Sequence, residues 1–376
     1  MKVIALTRTS SIGPSTRYRI EQYVPALERA GIEVVTRPLF GATWFAILER
    51  RPGPLRTGLK GLYSVTRLAA RIGQVLAARA SHADLVLVEQ QLFPYLPAWV
   101  ELLLWPRGKP TLVEFDDAIY LTPGHGEKLP RLWERASGLI VGNRFLADHA
   151  RPHNPSVHVI PTTVDVTRYD RALAAQRARR DAARADDRLR VGWIGLRYNF
   201  PFLELVAEPL GRLDGHPELA VISSGLPERT AAYEGVELLH RPWSEATEAD
   251  ELGACDVGVM PLPDNEWARG KCGLKLLQCM AAGVPVVTSP VGVNADIVEH
   301  GVNGLLADTP EAWEAAFRQL AADPDLRSRL GEAGRRTVEA GFSLERGAEM
   351  LAKAYRSATL LAEERTPPSA PSAPRS

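Results

Sequence analysis

The chain has 376 residues, with 45 basic and 45 acidic side chains and no formal net charge. That balance excludes a general polyanion binder such as a nucleic-acid protein, which needs a basic footprint. With 24% charged and 45% hydrophobic residues, the chain is neither disordered nor a coiled coil, and its length predicts two domains at roughly 100–200 residues each.

The N-terminal MKVIALTRTSSIG reads as a first strand rather than a signal peptide. Continuous Val/Ile/Leu runs follow at 3–6, 33–35, 85–88, 111–115, 139–141 and 158–160. Such runs predict strands buried on both faces of a parallel sheet. Between the first two, Ile20, Tyr23, Val24 and Leu27 share a helical face, and Pro25 should kink or shorten that helix. The most apolar stretch, 85–106, holds Glu89, Pro94, Pro97 and Glu101, so it makes no transmembrane helix.

A second series of predicted strands covers 190–194, 219–222, 236–239, 256–260, 285–287 and 304–306. Helical patterns lie between them at 201–213, 244–253, 273–282 and 310–322. The alternation occurs twice, so the chain reads as two Rossmann-like α/β domains with parallel sheets. Ligands of such sheets sit beyond the carboxyl ends of the strands, and two edges facing each other would form a cleft. The expected organisation is a first domain 1–167, a linker 168–189 and a second domain 190–342. A C-terminal helix 343–362 able to pack back on the first domain follows, then a Pro/Ser-rich disordered tail 363–376. The linker has almost no large apolar residues and reads as solvated chain or an exposed helix.

Cys255, Cys272 and Cys279 cannot form a disulfide framework and fit a reducing, cytoplasmic setting. His149 and His153 are four apart like a zinc pair. Pro152 separates them and no third ligand is evident, so they read as surface histidines and no metal is expected.

Only seven of the 45 basic residues are lysines, yet Lys271 and Lys275 fall together in PLPDNEWARGKCGLKLLQCMAAGVPVVTS (261–289). A strand ends near Met260, a glycine-containing loop follows, and a helix starts near 271–273. Such a helix start offers free N–H groups and a positive dipole end to an anion. Gly270 and Gly273 would allow close approach, and lysines four apart on a helix share a face. The pair reads as a phosphate cradle, or else as a solvated basic face. Gly195, at a strand end, permits a tight turn, and Arg197 can add positive charge there or be a surface arginine. There is no GxGxxG spacing, which argues against a nicotinamide site. In the first domain, Gly13 lies in the loop after the first strand, where Arg17 and Arg19 can meet an anion or form a solvated face. Asp116 and Asp117 end another strand. They can orient a sugar hydroxyl, bind a divalent metal, share a proton, or cap and solvate. The stretch 50–79 carries Arg50, Arg51, Arg56, Lys60, Arg67, Arg71 and Arg79 with no acid, interleaved with apolar residues. It reads as an anionic-membrane contact or an ordinary exposed helix.

GLKLLQCMAAGVPVVTSPVGVNADIVEHGVNGLLA (273–307) resembles the donor-binding signature of GT-B glycosyltransferases of the family 4 type. RVGWIGLRYNFPFL (190–203) resembles the opening of that family's second domain. GPSTRYRIEQYVPALERAGIEV (13–34), LVEFDDAIY (112–120) and GLIVGNRFLADHARPHNPSVHVIPTTVD (138–165) resemble its first. The resemblance implies a GT-B fold and transfer, with retention, of a sugar from a nucleotide-diphosphate co-substrate to a glycan or lipid-linked acceptor. It further implies a role in cell-surface polysaccharide or glycolipid synthesis at the inner face of the membrane, and no tightly bound cofactor. The family's two glutamate positions fall here on Gly270 and Gln278, so the ribose contact passes to Gln278 and Asp264 or Glu266 becomes a candidate sugar contact. A GT-B epimerase or a non-catalytic sugar-nucleotide binder are the alternatives.

Overall fold

The computed structural model describes residues 1–51, 53–181, 188–228 and 230–364. The tail from residue 365 and the linker residues 182–187 lie outside the described residues. The chain divides into two compact units, 1–160 with 348–376, and 161–347.

The first unit holds β1 (Lys2–Thr9), β2 (Glu33–Phe40), β3 (Leu85–Glu89), β4 (Thr111–Phe115), β5 (Gly138–Val141) and β6 (Val157–Val159). They form one sheet in the order β2-β1-β3-β4-β5-β6, every pair parallel. The second unit holds β7 (Arg190–Ile194), β8 (Glu218–Ser223), β9 (Glu237–Pro242), β10 (Val257–Met260), β11 (Val286–Thr288) and β12 (Leu305–Leu306). Its order is β12-β11-β10-β7-β8-β9, again all parallel. Each expected strand is present. Every residue of β3, β4, β5, β8, β10 and β11 is buried, because helices cover both faces of a parallel sheet. The edge strands β2, β6 and β9 are left partly open.

Helices depart further from the sequence pattern. The segment around Pro25 is broken into Pro14–Arg19, a 3₁₀ turn Glu21–Tyr23, and Val24–Arg29, since the proline cannot donate within a continuous ladder. Residues expected as linker form the helix Asp170–Asp181 within the second unit. Tyr169, Ala172, Leu173 and Gln176 turn inward, and Gln176 Nε2 donates to Cys255 O at 2.6 Å. The helix Leu344–Glu364 starts in the second unit, and its residues from Ala348 onward belong to the first. There Tyr355 is buried and Arg356 donates to Ala30 O.

The basic stretch is a single long helix, Pro54–Ala80, started by a proline whose missing N–H would have been unpaired in the first turn anyway. Three of its cations are structural. Arg67 donates to Leu39 O at 2.7 Å and Pro38 O at 3.1 Å. Arg71, 1% exposed, donates to Arg37 O and Thr7 O. Arg79 donates to Trp105 O at 3.0 Å. Arg67 and Arg71 satisfy carbonyls towards the carboxyl ends of β1 and β2, and Arg79 those of residues 103 and 105, so these three are not a solvated basic face.

Candidate functional site

In the second unit β7 and β10 are neighbours, although β8 and β9 separate them in sequence. The connections leave in opposite directions there, which makes the carboxyl end of that pair the topological switch point, where open α/β sheets bind ligands. β7 ends at Ile194, and the next residue, Gly195, donates its N–H to Ile222 O at 3.1 Å. β10 ends at Met260 and opens the loop 261–273.

That loop is fastened at its start. Thr288 Oγ1 donates to Met260 O at 2.9 Å, and Leu262 N donates to Ser289 Oγ at 3.0 Å. A short helix not foreseen from the sequence, Glu266–Arg269, then forms under the Asn265 side-chain cap, which accepts from Ala268 N. Asp264 is held by two bonds from Arg269, at 2.6 and 2.9 Å, and hydrogen bonding from Arg269 keeps its carboxyl below the ordinary range. Glu266 is exposed in the first turn of that helix. Gly270 has φ of −73°, open to any residue, so it is not needed for backbone freedom. Gly273 does need that freedom. Its φ is +73°, and a Cβ there would lie 2.8 Å from Ile297 Cδ1. From this left-handed cap the helix Leu274–Ala281 begins.

The two lysines do not share a helical face as expected, because Lys271 precedes the cap. Its N–H donates to Ala268 O, and its Nζ lies 5.0 Å from the Trp267 ring centroid. Lys275 sits in the first turn, with Nζ 4.2 Å from the Trp193 ring centroid, a distance at which the ring face attracts a cation. A Cβ on Gly195 would be 2.5 Å from that Nζ. The ammonium, the glycine just after β7 and the helix N-terminus therefore meet at the switch point. Together they can hold an anion. Arg197 is exposed at the same edge, one strand over, with its guanidinium beside Gly225 (a Cβ there would be 3.2 Å from Cζ). Gln278, the expected ribose contact, is only 3% exposed and keeps its amide inside.

The first unit has its own switch point, between β1 and β3. Gly13 packs there, where a Cβ would strike Thr9 Oγ1 at 2.0 Å. Two residues the sequence reading passed over lie there as well. Glu89, the last residue of β3 and 1% exposed, accepts from Arg8 N at 2.7 Å and from Thr16 Oγ1 at 2.8 Å. Gln90 follows with φ of +60°, a costly value for a side-chain-bearing residue, and accepts from Arg8 Nη1. A single carboxylate closing the otherwise apolar run LVLVE was the available signal. Asp116 lies half-buried at the end of β4, close enough to raise the pKa of both Glu89 and Glu114. Burial pushes Glu89 up to about 7 and Glu114 up to about 8, the latter against the attraction of Arg19, whose Nε is 2.7 Å from it. Arg19 is thus spent inside the unit at 2% exposure, and Arg17 is buried with its guanidinium over the Tyr18 ring; neither forms a solvated face. Asp117 is half-buried, and the turn Ile119–Leu121 beside it starts at Ala118 with no side-chain cap.

His149 stacks on Tyr120 at 3.6 Å and His153 faces Glu134, so the two histidines do not act as a pair. Among the described residues no group of three or more His, Cys, Asp or Glu is placed to hold a metal ion. No described helix is long and apolar enough to cross a membrane.

Comparison with known proteins accords with this geometry. Residues 205–323 match the family described as Glycosyl transferases group 1. A D-inositol 3-phosphate glycosyltransferase of Geodermatophilus obscurus is 31% identical over 239 residues, covering 57% of this chain and 50% of its own length. The chain spans about half, or less, of the length of the curated relatives it matches. Among solved structures, sucrose-phosphate synthase of Thermosynechococcus elongatus is similar with a TM-score of 0.70 at 19% identity, over 96% of this chain and all of that one. HepE of Anabaena, solved with UDP-glucose, has a TM-score of 0.66 at 16% identity, over 95% of this chain and 100% of its own. The chain thus has the fold of the GT-B glycosyltransferases, and residues 205–323 of its second unit match the group 1 glycosyltransferase family model.

Proposed function

We propose that the protein is a glycosyltransferase that takes a sugar from a nucleoside-diphosphate donor and passes it, with retention, to a glycan or lipid-linked acceptor. The observation that carries this reading is the placement of Lys275 on the first turn of its helix, against Gly195 and Trp193 at the switch point. The matched family region, residues 205–323, includes Lys275 and its helix. The donor diphosphate lies across Gly195 and the N–H groups opening Leu274–Ala281, with Lys275, Lys271 and Arg197 as counter-charges. These groups gain most as negative charge builds on the departing diphosphate, so they favour the transition state over the bound donor. Asp264, Glu266, Gly270 and Gly273 border the sugar, with Gln278 supporting the helix from inside. Asp116 and Asp117 are the proposed catalytic carboxylates, able to orient a sugar hydroxyl, alongside Lys271 and Lys275, and Gly13 is a proposed donor-binding loop residue. The protein works in the cytoplasm as a peripheral membrane enzyme of polysaccharide or glycolipid synthesis.

A thermal-shift panel of nucleoside diphosphates and nucleotide sugars tests the reading. A ligand at a hundred times its dissociation constant adds about 2.7 kcal/mol of stability. At least one nucleoside diphosphate should raise the melting temperature, and its mononucleoside monophosphate should do so less. A flat response across the panel would overturn the donor site.

A further inference from the structure

The long helix Pro54–Ala80 has an outward face of unusual composition. Leu55, Leu62 and Val65 are 68%, 66% and 66% exposed, and Ile72 and Leu76 are 37% and 49% exposed. Gly58 and Ala69, also exposed, complete a strict three–four spacing from 55 to 76. That spacing lays all of them along one stripe of the helix. The stripe is bordered by Thr57, Gly61, Thr66, Ala70, Gly73 and Ala77, all exposed and none charged. Of the cations of this helix Lys60 is exposed and Arg56 half-exposed, whereas Arg67, Arg71 and Arg79 turn toward backbone carbonyls of the unit. At 1.5 Å per residue the helix is about 40 Å long, so the face is far larger than the scattered apolar residues of an ordinary surface.

We infer that this uncharged stripe, and not the arginines of the segment, is the surface that beds into a lipid bilayer containing anionic lipid. A face that meets another protein helix usually carries charges beside its apolar seam, and these choose the partner and register. Here the residues that border the stripe are neutral and small, which suits hydrocarbon and leaves a second helix little to read. The surrounding charge has one sign. Arg50 and Arg51 are exposed just before the helix, Lys60 is exposed within it, and no acidic residue occurs between residues 50 and 83. Two copies meeting through this segment would bring like charges together, whereas anionic headgroups are attracted to it. Trp99 and Leu103, 66% and 59% exposed and four apart on the helix Ala98–Leu103, extend the apolar surface, since Arg79 ties the end of that helix to the long one. Exposed tryptophan is at home in the interfacial layer. The inference narrows the proposed peripheral attachment to one face, and it can fail while the transferase reading stands.

Co-sedimentation of the full chain with vesicles of phosphatidylglycerol and phosphatidylcholine, beside pure phosphatidylcholine, tests it. The protein should bind the anionic vesicles and keep most of that binding at about 0.5 M salt, where screening removes a purely electrostatic contact. The double variant Leu62→Ser/Val65→Ser should bind at least about tenfold less, the effect of withholding two or more methylene groups from hydrocarbon. Arg50→Gln/Arg51→Gln should weaken binding only a few-fold, and only at low salt. Leu360→Ser, on the exposed side of the C-terminal helix, should bind as the parent does. All variants should keep the parent's helicity and its response to nucleoside diphosphate. Equal binding by the stripe variant, with loss in the arginine variant, would place the contact in the charges and overturn the inference while sparing membrane attachment. A chain that ignores vesicles, or forms a dimer that Leu62→Ser/Val65→Ser dissociates, would overturn both, and donor binding would remain as a separate result.

Discussion

Replacing Gly195 by alanine probes the donor site at its tightest point. The added methyl would lie 2.5 Å from Lys275 Nζ and 2.6 and 2.7 Å from two carbons of the Trp193 ring. Carbon atoms in contact prefer separations of roughly 3.5–4.0 Å, so the overlap with the ring is about 1 Å. The lysine can swing away, but Trp193 cannot: it is 1% exposed and packs against Phe200 at 5.7 Å between ring centroids. Overpacking of this kind costs about 1–3 kcal/mol. In a unit of this size each kcal/mol moves the melting temperature by about 2–4 °C, so a fall of about 3–10 °C is expected. The same displacement takes the ammonium from its place over the ring, so nucleoside-diphosphate binding should weaken by about tenfold or more. Calorimetric melting with and without nucleoside diphosphate reads both effects. An alanine variant that melts with the parent and keeps its full ligand shift would refute the packing argument.

Three further outcomes follow from the first unit. Glu89 and Glu114 are raised to about 7 and about 8 from an ordinary 4.5. The folded chain therefore holds protons that the unfolded chain has lost, and stability should fall as pH rises from about 4.5 to about 8 and then level off. Glu114→Gln should flatten that fall in denaturant titrations; an unchanged slope would show that Glu114 keeps its charge. Lys128→Met should cost about 3–5 kcal/mol, because it strands Glu101, fully buried and paired with Lys128 at 2.6 Å. Removing both partners, as Glu101→Leu/Lys128→Met, should recover much of that loss in urea unfolding, and a fully stable single variant would contradict it. At Gln90, whose φ is +60°, glycine should be more stable than alanine by about 1 kcal/mol, although both lose the bond from Arg8. Equal melting temperatures would argue against strain there.

Strands were legible because burial on both faces writes itself as an unbroken apolar run; LVLVE and TLVEF announce β3 and β4 without context. Glu89, the exception in that apolar run, went unread, and its reason is a tertiary one: it closes a network with Thr16 and Arg8 that no local pattern contains. The long helix misled for a related reason. Charge per residue is visible in sequence, but the direction of Arg67 and Arg71 is set by the carbonyls of Pro38, Leu39 and Arg37. The lysine pair was found by its rarity in an arginine-rich chain. Its geometry was not, because the left-handed Gly273 starts the helix after Lys271 rather than before it. Composition left 168–189 open between solvated chain and an exposed helix; the structure has the helix Asp170–Asp181, docked by a few inward residues, Leu173 and Gln176 among them.

Lys275 is the residue on which the proposed donor chemistry depends most. Turnover of a nucleotide sugar that the thermal-shift panel identifies, measured for the parent and for Lys275→Ala, decides it. The expected result is a fall of about one to three decades in turnover, the scale of losing one charge contact to the departing diphosphate, with folding intact. Undiminished turnover in Lys275→Ala would contradict the claim that this ammonium, placed beside Gly195 at the end of β7, carries the chemistry.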